Sequence, residues 1–154
     1  MTTIIPYQHD IHHAHFVSIN ERWIKKYFGM EQSDINALHH AKSYILDKGG
    51  HIVMAELNGE IVGTCALIKM EHPDYDFELA KMGVIPAAQG KGAGLLLGQA
   101  VIEKARSLGA KRIYLESNSV LESAIRLYRK LGFVDVKGVP SPYCRCNVQM
   151  ELVL

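Results

Sequence analysis

Apolar positions fall at helical spacing over the first fifty residues, and beyond them strand-like runs alternate with helices. After a short strand around Thr3–Pro6, residues 10–28 carry Ile11, Phe16, Ile19, Trp23 and Tyr27 three to five positions apart, predicting an amphipathic helix that ends at Gly29. Residues 33–48 predict a second helix, with Leu38, Ala41 and Ile45 on one side and Gly49-Gly50 as its stop. His51–Leu57 and Glu60–Met70 are β-type runs joined by Asn58-Gly59, a pair that tolerates the positive φ of a two-residue hairpin turn.

The turn residues Pro73-Asp74-Tyr75-Asp76 lead into a strand over 77–85. Strand alternation puts Glu78, Ala80, Met82 and Val84 on one face and Phe77, Leu79, Lys81, Gly83 and Ile85 on the other, unless a bulge shifts it. Leu97, Val101, Ala105 and Leu108 mark the buried stripe of a helix over 94–108 that Gly109 caps. Arg112–Ser117 reads as a strand. Ser119-Val-Leu-Glu122 has capping-box spacing before a helix whose buried face is Ala124, Leu127, Tyr128 and Leu131, closed by Gly132. Phe133–Lys137 and Arg145–Leu152 are the last strands, around a loop containing Pro140 and Pro142. Strands alternating with helices from residue 77 onward give an α/β (α+β) class, a partly parallel sheet fed by an antiparallel meander. Its ligand is expected at the carboxyl ends of the parallel strands.

Bulk properties narrow the function by exclusion. With 154 residues, 48% hydrophobic, the chain is expected to form one domain spanning 1–154. A net charge of +1 leaves no overall field for nucleic acid or an anionic membrane, and no apolar run approaches a membrane span or a signal peptide, so a cytoplasmic location is expected. Cys65, Cys144 and Cys146 read as reduced thiols. The His9, His12, His13 and His15 group has no carboxylate or thiol cluster beside it, so no metal is expected.

The most informative segment is residues 82–94, Met-Gly-Val-Ile-Pro-Ala-Ala-Gln-Gly-Lys-Gly-Ala-Gly. Gly90, Gly92 and Gly94 separate a strand from a helix, a layout in which unobstructed backbone N–H groups and a helix N-terminus can face a phosphate or pyrophosphate. The dinucleotide fingerprint fails, because Leu95 stands where its third glycine belongs. A P-loop fails too, because Ile85 precedes Gly90 by five and Gly92 follows Lys91.

The spacing that fits is Gln89-x-x-Gly92-x-Gly94, and with Leu127-Tyr128-Arg129-Lys130-Leu131-Gly132-Phe133 downstream the chain resembles the GCN5-related N-acetyltransferase (GNAT) family over roughly residues 50–136. The resemblance implies a central mixed, mostly antiparallel twisted sheet of six to seven strands, flanked by about four helices, with acetyl-coenzyme A (acetyl-CoA) at a splayed parallel strand pair. It also implies that Gln89, Gly90, Lys91, Gly92, Ala93 and Gly94 hold the coenzyme pyrophosphate, with Met82, Gly83 and Val84 beside the thioester and an amide of Gly83 or Val84 donating to its oxygen. Glu78 takes the place of the general base, and Tyr128 that of the proton donor to the departing thiolate. Leu121 replaces the family's usual asparagine, and Asn118 is the candidate substitute contact.

The implied activity is acetyl transfer from acetyl-CoA to a primary amine of a small or amino-acid-like molecule, directly within a ternary complex. Acetylation of a protein lysine or N-terminus is the alternative, and an acyl-CoA-binding module without turnover is the alternative of a different class. Trp23, Tyr27, Glu31, Tyr143 and Arg145 are the candidate lining of the acceptor pocket, Arg145 pairing with a carboxylate or Glu31 attracting a cation. Exposed C-terminal strands in such folds often pair, so a homodimer is expected.

Overall fold

The structure, a computed structural model, describes residues 1–154. Seven strands, β1 (Thr2–Pro6), β2 (His51–Leu57), β3 (Glu60–Lys69), β4 (Phe77–Val84), β5 (Arg112–Ser117), β6 (Val134–Val136) and β7 (Val148–Val153), make one open sheet in the order β1-β2-β3-β4-β5-β7-β6. All neighbours are antiparallel except β4 and β5. Four α-helices flank it: α1 (His9–Tyr27), α2 (Gln32–His39), α3 (Ala93–Ser107) and α4 (Glu122–Leu131). The expected mixed, mostly antiparallel α/β sheet is the one observed. Asn58 and Gly59, at φ 52° and 80°, close the β2–β3 hairpin as their sequence predicts.

Four local expectations change. The helix expected over 33–48 splits, because Asp47 N–H donates to the Lys42 carbonyl (2.8 Å) and Gly50 N–H to that of Ile45 (2.8 Å), five-residue steps that widen Lys42–Leu46 into a π-helical turn. Ser119 does not cap α4; its hydroxyl accepts a hydrogen bond from Asn147 Nδ2 (3.1 Å), and Leu121 is the capping residue with no side-chain bond. Leu108 ends α3 and is 47% exposed rather than part of the buried stripe. The last strand begins at Val148, not Arg145, because the preceding residues form a loop in which the side chains of Arg145 and Asn147 bond to Asp34 and Ser119.

The sheet separates two cores. On one face Phe77, Leu79, Met82 and Val84 of β4 pack with Leu97 and Val101 of α3 and Tyr128 of α4. On the other, Met54 and Ala66 pack with Phe16 and Ile24 of α1 and Leu38 of α2. The alternation of β4 switches at a bulge: Thr64 pairs with Gly83 and Ala66 with Ala80, so Lys81 and Met82 together oppose Cys65. Lys81 takes φ 51°, a left-handed conformation that a non-glycine residue adopts at a cost of about 1–2 kcal/mol. Glu78 and Ala80 therefore share the α1/α2 face with Lys81 and Gly83, while Met82 and Val84 turn to the α3/α4 face. The expected grouping of Glu78 with Met82 and Val84 is corrected by this single extra residue.

Gly50 shows how tightly the π-turn enters the sheet. A Cβ there would lie 2.7 Å from the Leu67 carbonyl oxygen and 2.8 Å from that of Ile45, both backbone atoms that cannot swing aside. Gly50→Ala is therefore expected to destabilise the fold by about 1–3 kcal/mol, read as a lowered urea midpoint with an unchanged slope.

Candidate active site

β4 and β5 are the only parallel neighbours, and their pairing consists of Phe77 with Ile113 and Glu78 with Tyr114. Beyond those positions the strands diverge, and a cleft of about 730 Å³ opens there. Because the opening lies within the sheet, its walls come from both faces: Tyr128 and Ala124 of α4 from one, Trp23 of α1 and Ala37 of α2 from the other. Gly83 permits the approach of α1, since a Cβ on it would meet Ile19 Cγ2 at 2.8 Å and Trp23 Cδ1 at 3.0 Å.

At one end the chain turns through Gln89–Gly94 into α3. Gly90 and Gly92 have φ 77° and 85°, and Gly92 caps α3 without a side-chain bond. Gly94 has a packing role, because a Cβ there would stand 3.0 Å from Leu127 Cδ2 and hold α3 away from α4. Gln89, Gly90, Gly92, Ala93 and Gly94 all line the cleft, and so do Met82, Gly83 and Val84. Gln89 folds back, donating from Nε2 to the Val84 carbonyl (3.0 Å). The N-terminus of α4 also faces the cleft, through Glu122 and Ser123, with no side chain capping it. Two helix N-termini and a left-handed glycine turn thus leave backbone donors for an anion.

Two candidates sit differently from expectation. Lys91 is exposed and lies outside the cleft, against a separate shallow depression with Asn58 and Glu60. Asn118 lines the cleft, but its side chain is occupied: Nδ2 donates to the Arg145 carbonyl (2.7 Å), and Oδ1 accepts from Val120 N–H (2.9 Å). Asn118 ties the end of β5 to the loop before β7.

Glu78 and Tyr128 approach the opening from opposite faces. Burial, and then the negative charge of Glu116, push the Glu78 carboxyl up to about 7 against the pull of the Lys81 ammonium. Its carboxylate has no hydrogen-bond partner in the protein; since no buried side-chain oxygen is left unpaired, it opens to the cleft. The Tyr128 hydroxyl is likewise without a protein partner, and burial, then the nearby Cys65, raise its pKa. The one group can accept a proton near neutral pH, and the other stays protonated and can give one.

The far side of the cleft is organised by a buried charge cluster that the sequence reading did not assemble. Asp34, fully buried in the first turn of α2, accepts from Lys81 Nζ at 2.7 Å and from both terminal nitrogens of Arg145 at 2.7 Å each. Glu31 N–H donates to Asp34 Oδ2 (2.9 Å) in a reciprocal capping box. Glu31 Oε1 accepts from Cys144 N–H (3.1 Å), and Oε2 lies 3.5 Å from Arg145. Tyr143 fits between the cations, its hydroxyl 2.9 Å from Lys81 Nζ and its ring under both Lys81 and Arg145. Arg145 lines the cleft as expected, with its charge paired to Asp34 and Glu31, whereas Glu31 is not part of the cleft lining. Its sequence signal was the Glu31-x-x-Asp34 spacing and a lysine inside the otherwise apolar stretch 79–84 of β4.

The acetyltransferase (GNAT) family model matches residues 15–133, and the chain belongs to that family. Over 110 residues it is 36% identical to YjgM of Escherichia coli strain K12, an uncharacterized N-acetyltransferase, a match covering 69% of this chain and 66% of that one. It is 34% identical over 98 residues to the N-alpha-acetyltransferase RimI of Mycobacterium tuberculosis, covering 63% and 60%. The chain thus matches less than two thirds of the length of these relatives. In fold it resembles a GNAT acetyltransferase of Staphylococcus aureus Mu50, with TM-score 0.86, 23% identity and 98% of each chain covered. It also resembles yncA of Salmonella typhimurium, a putative acetyltransferase solved with its cofactor acetyl-CoA, with TM-score 0.75 and 23% identity over 99% and 94%. No helix is long and apolar enough to cross a membrane, and no group of metal-ligating side chains is present.

Burial disfavours ionisation of Asp34, but Arg145 and then Lys81 outweigh it and hold its carboxyl down to about 2. A folded-state value below the ordinary carboxylate range makes its stabilisation present above that range and lost as pH falls towards about 2. Asp34→Asn leaves two buried cations short of a charge and is expected to destabilise the fold by about 3–5 kcal/mol at neutral pH. In urea titrations that difference from the wild type should shrink as the pH falls through the same window.

Proposed function

We propose that this chain is an acetyl-CoA-dependent N-acetyltransferase acting on a small primary amine, with 1–154 as one catalytic domain. The observation that carries the reading is the opening between β4 and β5, which has a proton acceptor, Glu78, on one face and a proton donor, Tyr128, on the other. Backbone donors at Gln89–Gly94 and at the N-terminus of α4 fit the coenzyme pyrophosphate, because the glycine turn leaves amides free of side-chain cover. Lys91 and the Asn118 side chain are left out of that assignment. The acetyl-CoA bound to yncA supports the choice of donor.

In this reading Glu78 takes the proton that the amine loses as its nitrogen bonds to the thioester carbonyl carbon. Tyr128 gives its hydroxyl proton to the sulfur as the carbon–sulfur bond breaks. An amide of Gly83 or Val84 is the candidate donor to the carbonyl oxygen. The thioester supplies the acetyl group, and free coenzyme leaves as a thiol. The loop carrying Tyr143 and Arg145 closes the far wall, which favours a small acceptor over a peptide.

The reading is tested by calorimetry with acetyl-CoA and by free-thiol release with an amine panel. Binding without thiol release from any amine would leave only an acyl-CoA-binding module. Glu78→Gln is expected to lower kcat/KM about 10²–10⁴-fold. In the wild type kcat/KM should rise with pH through about 7, as Glu78 loses its proton, and that limb should vanish in the variant. Tyr128→Phe keeps the ring packing and is expected to lower kcat at least about tenfold with little change in coenzyme affinity.

A further inference from the structure

We infer that Glu116 is a specificity-determining residue: with Glu78 it forms a pair of carboxyl groups, neither of them in an ion pair, in the acceptor side of the cleft, selecting amines whose body carries no carboxylate. The inference rests on the acetyl-transfer reading above. Glu78 lies opposite Tyr114 in the parallel pairing, and Glu116 is two residues further along β5, so both side chains stand on the α1/α2 face, and both line the cleft. Glu116 is held by neutral donors only, the Tyr114 hydroxyl at 2.6 Å and the Ser141 hydroxyl at 2.9 Å. Neither glutamate takes part in an ion pair.

The basic side chains of the cleft wall are Lys81 and Arg145. Their two positive charges are matched by Asp34 and Glu31. The fixed charge left facing an acceptor is therefore negative. An α-amino acid carries its carboxylate one carbon from the reacting nitrogen; with that nitrogen at Glu78, the carboxylate has no free cation to meet and Glu116 close by. An amine without that group escapes the repulsion, and its body meets Trp23, Phe28, Ala37, Tyr44 and Ile68.

The experiment compares kcat/KM, expressed per neutral amine, for two matched pairs with acetyl-CoA: 2-phenylethylamine against L-phenylalanine, and 3-methylbutylamine against L-leucine. The carboxylate-free member of each pair is expected to be favoured at least about tenfold, a difference of about 1.4 kcal/mol. Glu116→Gln, which keeps the shape and acceptor oxygen of the side chain, should shrink that ratio at least about threefold. A ratio near one or reversed, a ratio unchanged in the variant, or no turnover of any of the four amines by protein that binds acetyl-CoA overturns the inference. Absence of acetyl-CoA binding by calorimetry overturns the acetyl-transfer reading beneath it, so the two failures are distinguishable.

Discussion

One surplus residue in β4 governs the arrangement of the site. Opposite Cys65 the strand spends two residues where its partner spends one, and Lys81 absorbs the difference with a left-handed backbone. Strand alternation then reverses, so a polar pair, Glu78 and Lys81, comes to lie on the face that α1 and α2 cover. The same segment parts from β5 after two paired residues, opening the sheet where an uninterrupted strand would have continued its ladder.

Turning a lysine into the interior creates an electrostatic debt that Asp34 settles. Burial lowers the Lys81 pKa, and the Asp34 carboxylate opposes that effect. Asp34 in turn draws in Arg145, and Arg145 brings the loop around Tyr143 across the cleft. Such a cluster adds less net stability than its short contacts suggest, because desolvation offsets much of the attraction. Its contribution is positional: three remote segments, α2, β4 and the loop before β7, share one geometry around one carboxylate.

Much of the fold was legible in the sequence because its determinants are local. The Asn58-Gly59 turn, the glycine stops and the stripe of Leu97, Val101 and Ala105 each act within a few residues, and the elements they announce are present, except that the helix expected over 33–48 is split by a π-turn. The glycine loop could be read for the same reason. The bulge could not, since it depends on how β4 registers against Cys65, a choice made by a different strand. Arg145 was noticed as a charge, but its partner lies 111 residues away, and spacing carries no trace of that pairing. The partners of Asn118 were equally out of reach: a polar residue at a strand end reads as a ligand contact, and only the fold brings its amide to Arg145 and Val120.

The two cores on opposite faces of the sheet bear on how this chain can diverge. The larger one supports the glycine turn and α4; the smaller one supports α1 and α2, which wall the other half of the cleft. Replacements confined to the smaller core can reshape one half of the cleft while the other keeps its backbone. Such a division lets new selectivities arise through neutral drift on one side of a shared scaffold, without each innovation having to rebuild the whole.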